Sequence, residues 1–156
     1  AVTGSSFTGP SFPARVTDAI TAAIHQSETR HRGEIRFAVE ASLDVSALLR
    51  KQTARERAIA VFGQLGVWDT EHNNGVLVYV LLADHDVEII ADRGINRHVG
   101  HEAWESICRE MELDLRQGRF QEAILHGVSA ISAHLTRHYP GQGGNINELP
   151  DQPAIL

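Results

Sequence analysis

The run GVLVYVLLA at residues 75–83 constrains this chain more than any other stretch. It is apolar without alternation, so both of its faces need cover. That predicts a central strand in a sheet with a layer on each side. A tight polar turn, ADHD, follows at 83–86, and VEIIAD at 87–92 reads as an antiparallel partner. Upstream, EIRFAVEAS at 34–42 does alternate, with Ile35, Phe37 and Val39 on one face and Glu34, Arg36 and Glu40 on the other. That pattern suits a strand with one wetter face, or a strand near an edge.

Helical stripes supply the covering layers. Ser11 ahead of Pro13 is a helix-start signal, and Phe12, Val16, Ala19, Ile20, Ala23 and Ile24 share one face of a helix that fades near His31–Gly33. LDVSALLRKQ at 43–52 holds one helical turn and a loop. Thr53 and Glu56 form a capping-box pattern ahead of a second helix lined by Ala58, Ile59, Phe62 and Leu65, which Gly66 ends. Trp104, Ile107, Cys108, Met111 and Leu115 stripe a third long helix. Phe120, Ile124, Val128, Ile131 and Leu135 stripe a fourth, with Gly118 between them. The order α-β-(α)-α-β-β-α-α specifies an α/β fold: a short mixed sheet with helices on both faces, its first and central strands parallel.

At 156 residues, 42% hydrophobic, the chain suits one domain with a real core. Residues 1–10 are Gly/Ser/Thr-rich and read as loose, 11–140 as the domain, and 141–156 as an extended tail along the surface. A net charge of −6 disfavours non-specific nucleic-acid binding, which wants a basic stripe, and suits a cation ligand better. The single cysteine, Cys108, forms no intrachain disulfide. The start shows no basic segment followed by an apolar core, and no apolar run spans a bilayer, so the sequence as given reads as cytoplasmic and without a membrane segment. It also lacks an initial Met, which suits a trimmed N-terminus.

Strand directions locate a candidate site. The N-terminal ends of two parallel strands lie together, and the C-terminal end of an antiparallel third joins them. One rim therefore collects HRGE at 31–34, DTEHNN at 69–74 and ADRG at 91–94, bringing Glu34, Asp69, Glu71, Asn74, Asp92 and Arg93 within reach of each other. Converging carboxylates repel unless a cation or an arginine sits among them, and oxygen ligands suit Ca²⁺ or Mg²⁺.

The blocks GEIRFAVE, DTEHNNGVLVYV, IIADRGI and GRFQEAILHGVSAISAHL, in that order over roughly residues 12–140, resemble the TPM-domain family, also called the TPM phosphatase family. The resemblance implies an α/β/α sandwich, a divalent cation at an acidic cluster, and the weak acid-phosphatase activity of some members. Other members are linked to assembly or repair of membrane protein complexes. Carried across by motif, the metal positions are Asp69 and Asn74 from DTEHNNG, Glu34 from GEI and Asp92 from ADRG. The chain departs from many members in showing neither a signal peptide nor a C-terminal membrane helix. The family's glycine-rich segment after the third strand reads here ADRGINRHVG.

Competing motifs are weaker. Asp69, Glu71 and Asn73 alternate as in an EF-hand, but Gly75 comes one place late and Val80 stands where a bidentate Glu is needed. An Asx-rich turn explains the same residues. In TRHRGE, Arg32 separates His31 from Gly33, so a histidine-phosphatase pocket is not formed, and basic residues suit a helix C-terminus anyway. His134 and His138 share a helix face without the Glu of HExxH, and Cys108 reads as core. Two functions remain. In the first, a divalent-cation-dependent phosphomonoester hydrolase uses Asp69, Asp92 and Arg93 on a phosphoester, Arg93 steadying the phosphoryl oxygens. In the second, a non-catalytic metal-binding module docks a protein partner, with the tail as docking peptide. A rim that is merely structural is the third possibility.

Overall fold

The computed structural model describes residues 13–141 and 147–156. The expectations for residues 1–10, Ser11, Phe12 and positions 142–146 of the tail lie outside them. Six helices, α1 (Ala14–Ser27), α2 (Val45–Leu49), α3 (Ala54–Gln64), α4 (Arg93–Val99), α5 (His101–Arg116) and α6 (Phe120–His138), surround four strands: β1 (Glu34–Glu40), β2 (Gly75–Leu81), β3 (Asp86–Ala91) and β4 (Ala154–Ile155). No helix among the described residues is long and apolar enough to cross a membrane.

The strands form one mixed sheet in the order β3-β2-β1-β4. β1 runs parallel to β2, with Glu34 opposite Gly75 and Glu40 opposite Leu81. β3 runs antiparallel to β2, with Val76 opposite Ala91 and Leu81 opposite Asp86. Every residue of β2 is buried, as its unbroken apolar run requires. Val76, Val78 and Val80 enter the larger core with α1, α5 and α6. Leu77, Tyr79 and Leu81 enter the smaller one with Ala54, Ala58 and Val61 of α3. The result is an α/β/α sandwich.

Differences from the sequence reading have local causes. α1 ends at Ser27, followed by a turn whose Arg30 N–H donates to Ser27 O at 3.1 Å. Ile59 does not join the core; it is 52% exposed, while Val61 turns inward. The polar face of β1 is not wet. Glu40 takes a fork from Arg57 (2.9 and 3.2 Å) and the Tyr79 hydroxyl (2.7 Å), and Glu34 is only 4% exposed. The cover over Glu34 and Arg36 is the tail, which packs along β1 and adds the marginal strand β4. Leu149 is buried in the smaller core, Gln152 O accepts from Arg36, and β4 pairs with Ala38 and Val39.

The free edge of β3 is blunted by side chains. Val87 N donates to Glu112 (3.0 Å), and Ile89 O accepts from Arg55 (3.1 Å). These cap groups that would otherwise recruit another strand. A groove of about 290 Å³ runs along this edge, with Trp104 and Cys108 in its lining.

Candidate functional site

The loop before β2 is wound by its own backbone. Asp69 N donates to Gly66 O (2.9 Å) and Asn73 N to Thr70 O (3.4 Å). The Asn74 N–H donates to the Thr70 hydroxyl (3.1 Å). Asn73 takes a left-handed φ of 53°, which asparagine tolerates well. These bonds deliver Asn74 to the head of β2 with its side chain turned inward.

The three rim segments meet. Glu34 N donates to Asn74 O (3.3 Å), Asp92 N to Gly75 O (2.9 Å) and Ile95 N to Asn73 O (3.2 Å). Asn74 Nδ2 donates to Arg32 O (3.2 Å). Gly94 lies so close beneath the carbonyls of His72 and Asn73 that a Cβ there would collide with both. Residues separated by up to 42 positions in the chain are thus joined by direct hydrogen bonds at one end of the sheet.

Two oxygens at this junction lack partners. Asn74 is 0% exposed, and its Oδ1 has no hydrogen-bond partner among the described residues. Asp92 caps α4, its Oδ1 accepting from Arg93 N at 2.8 Å, while its Oδ2 is buried and unpartnered. A buried acceptor without a donor costs about 1–3 kcal/mol. Two on hydrogen-bonded neighbouring segments form a donor set of the kind a hard cation completes. No group of three or more His, Cys, Asp or Glu side chains with metal-binding geometry occurs among the described residues. A cation here would therefore draw on amide and backbone oxygens as well as carboxylates.

The remaining expected residues are placed unequally. Asp69 is exposed on the same loop, and Arg93 is exposed in the first turn of α4. Glu34 approaches through its backbone, but its Oε1 accepts from Leu149 N (3.0 Å) on the tail. Burial pushes its carboxyl up to about 7, against the hydrogen bonds from Leu149 and Glu148. Glu71 N donates to Glu148 (3.0 Å), so the tail also clamps the loop.

Sequence reading missed three features. Asp92 begins a helix, and the Asp-before-helix signal was present but masked by Gly94 and Gly100. Glu28 lies beside Glu34 and Asp151 and is pushed up to about 10, chiefly by burial and then by Glu34. His31, read as a helix-end charge, is 1% exposed, with Gly33 N donating to its Nδ1 (3.1 Å) and Nε2 unpartnered. Burial holds it down at about 4. Cys108 is no nucleophile of this site: burial pushes its thiol up to about 12, and it lines the edge groove.

Residues 12–134 match the family model TPM_phosphatase, described as TPM domain. No curated protein matches the sequence. Among solved structures, the chain is similar to the BA42 protein from the psychrophilic bacterium Bizionia argentinensis, with a TM-score of 0.78 and 29% identity over 92% of this chain and 94% of that one. It shares its fold with the N-terminal domain of a protein from P. gingivalis (TM-score 0.65, 18% identity, 84% of this chain and 82% of that one).

Proposed function

The chain belongs to the TPM domain family, and from that premise we propose that it is a divalent-cation-binding domain with weak phosphomonoester hydrolase activity. The observation that carries the reading is the pair of buried, unpartnered oxygens, Asn74 Oδ1 and Asp92 Oδ2, on segments bonded to each other. Asp69, on the exposed part of the same loop, adds a carboxylate from the solvent side. Glu34 contributes from the same junction to the extent that the tail leaves its carboxylate free. The hard oxygen donors favour Ca²⁺ or Mg²⁺. When bound, such a cation supplies Lewis acidity toward a phosphoryl oxygen. Arg93, next to Asp92, holds the charged phosphoryl oxygens through its planar fork. The capping bond from Arg93 N holds Asp92 Oδ1 at α4 and leaves the buried Oδ2 to the cation.

A second reading is favoured by the position of Asn74, which is bonded to residues 32 and 34 and sits beside the Gly75–Asp92 link. A cation there braces three loops, and a braced rim serves equally as a docking face for a protein partner without any turnover.

Calorimetric titration with Ca²⁺, Mg²⁺, Mn²⁺ and Zn²⁺ tests the common premise. One site is expected, weakened at least tenfold by Asn74→Ala and by Asp92→Asn, and kept by Asp84→Asn on the exposed turn after β2. Folded protein that takes up none of the four ions ends both readings. Hydrolysis of an aryl phosphate by the loaded protein, lost in Asp69→Ala and Arg93→Ala, then selects the enzyme. Tight ion binding with no turnover on a broad phosphoester panel selects the docking module.

A further inference from the structure

The end of the molecule that holds the candidate cation site also carries positive charge that the cation does not use. Arg30 and Arg32 lie on the turn ahead of β1, Arg93 and Arg97 lie four residues apart on α4, and Arg137 lies in the last turn of α6. These segments touch one another. Arg32 N donates to Tyr139 O at 2.8 Å, and Gly141 N to Arg30 O at 3.3 Å. The His98 ring of α4 stacks on His138 of α6, with centroids 4.7 Å apart and planes inclined by 13°. Beside them His72 and His98 flank the Tyr139 ring at 6.4 and 6.0 Å.

All five arginines are exposed, and none has an ion pair or side-chain hydrogen bond among the described residues. Four arginines elsewhere are matched, Arg55 with Glu88, Arg57 with Glu40, Arg109 with Glu105 and Arg119 with Asp114, while Arg15 and Arg116 are also exposed and have no ion pair among the described residues. Residues 1–12 and 142–146 contain no acidic side chain that could neutralise the five. The carboxylates of this rim are otherwise engaged or assigned. Glu71 pairs with His72 at 3.7 Å, Glu148 accepts from Glu71 N, and Asp69 and Asp92 face the cation in the proposed reading. Helix electrostatics account for Arg97 and Arg137, which sit in last turns, but they disfavour Arg93 in a first turn. Burial first, and then the charges of His98, Arg137 and His134, hold His138 below the ordinary imidazole value.

We propose that this face binds a ligand bearing several phosphate groups in a row across the arginines of α4, α6 and the turn before β1, beside the candidate cation site. The inference deepens the proposed function by naming its substrate class: a condensed or multiply phosphorylated compound in preference to a simple monophosphate. Guanidinium forks suit this work, since each takes a phosphate through two parallel hydrogen bonds, and several acting on one chain of charges reinforce each other.

The test is done in chelator, so that it stands apart from the cation reading. Inorganic tripolyphosphate and orthophosphate are titrated into the metal-free protein at 150 mM salt. Tripolyphosphate is expected to bind at least tenfold more tightly. The double variant Arg97→Ser/Arg137→Ser, checked for an unchanged circular dichroism spectrum and melting temperature, should lose tenfold or more of that affinity. Arg109→Ser, at a matched arginine elsewhere, should lose none. Equal affinity for the two anions overturns the proposal, as does the same loss in Arg109→Ser. So does binding of a single-stranded DNA oligonucleotide as tight as that of tripolyphosphate, which marks an unspecific polyanion surface. Tripolyphosphate selectivity in a protein that takes up no divalent cation leaves this inference standing and removes the cation reading alone.

Discussion

At the residue scale the decisive side chain is Asn74, whose two amide atoms have different fates: Nδ2 donates to Arg32 O, while Oδ1 is buried without a donor. An ion that completes Oδ1 binds the folded chain only, so it raises stability by about 2.7 kcal/mol at a hundredfold excess over its Kd. The melting temperature should therefore climb with Ca²⁺ or Mg²⁺ in the wild type and stay flat in Asn74→Ala; a flat response in both denies the ion a place here. Glycines give a sharper contrast. A Cβ on Gly75 would collide with the Val67 carbonyl, a backbone atom, whereas one on Gly127 would meet only the thioether end of Met111. Gly75→Ala should cost about 3 kcal/mol. Gly127→Ala should stay within about 1 kcal/mol, because improved helix propensity offsets the crowding. Denaturant melts of the two variants check the difference. The DTEHNNG loop was legible in the sequence as a polar anomaly before a buried strand. The orphaned oxygen was not, because it depends on which partners the fold withholds.

At the scale of elements, legibility followed local chemistry. The capping box of α3 formed in both directions, with Glu56 N to Thr53 Oγ1 at 3.1 Å and Thr53 N to Glu56 Oε1 at 2.8 Å. It needs only residues three apart. α4 was hidden because seven residues with a glycine at the second position carry little helical signal. The tail segment was hidden because its partners lie over a hundred residues upstream. That segment is held where carboxyls crowd. Glu28 on the turn after α1, Glu34 and Arg36 on β1, His25 on α1, and Glu148 and Asp151 on the tail surround one another, with His25 Nδ1 3.2 Å from Asp151. The folded state favours the protonated carboxyls, with Glu34 raised to about 7 and Glu28 to about 10 from an ordinary 4.5. Their contribution is complete below about pH 4.5. It declines as pH rises, through 7 for Glu34 and on to 10 for Glu28. His31, lowered from 6.5 to about 4, acts in the opposite sense, removing stability as pH falls between those values. Above pH 6.5 the carboxyls act without it. Thermal melts should lose stability between pH 6.5 and 9.5, and Glu28→Gln, uncharged throughout, should flatten that slope. A slope unchanged by Glu28→Gln would assign the loss to other groups.

At the scale of the whole molecule the sheet's directions do most of the organising. Parallel β1 and β2 with antiparallel β3 were legible from the hydrophobic pattern, the helical crossover and the tight turn, and they suffice to bring residues 31–34, 69–74 and 91–94 to one end. Stability should be graded along the same plan. β2 is flanked by strands on both sides and wholly buried, while β4 is two half-buried residues at the sheet's margin. Native-state hydrogen exchange should find its slowest amides within residues 76–81 and give residues 154–155 far less protection. Comparable protection at both would mean that the sheet opens only as a unit. The tail's long reach has a further consequence for the order of assembly. In a chain made from its N-terminus, Glu34 leaves the ribosome 115 residues before Leu149, whose N–H its carboxylate accepts. Throughout that interval the nascent sheet has an open margin and a loop without its clamp, so whatever shields the chain during translation must cover the strand that the tail will later claim.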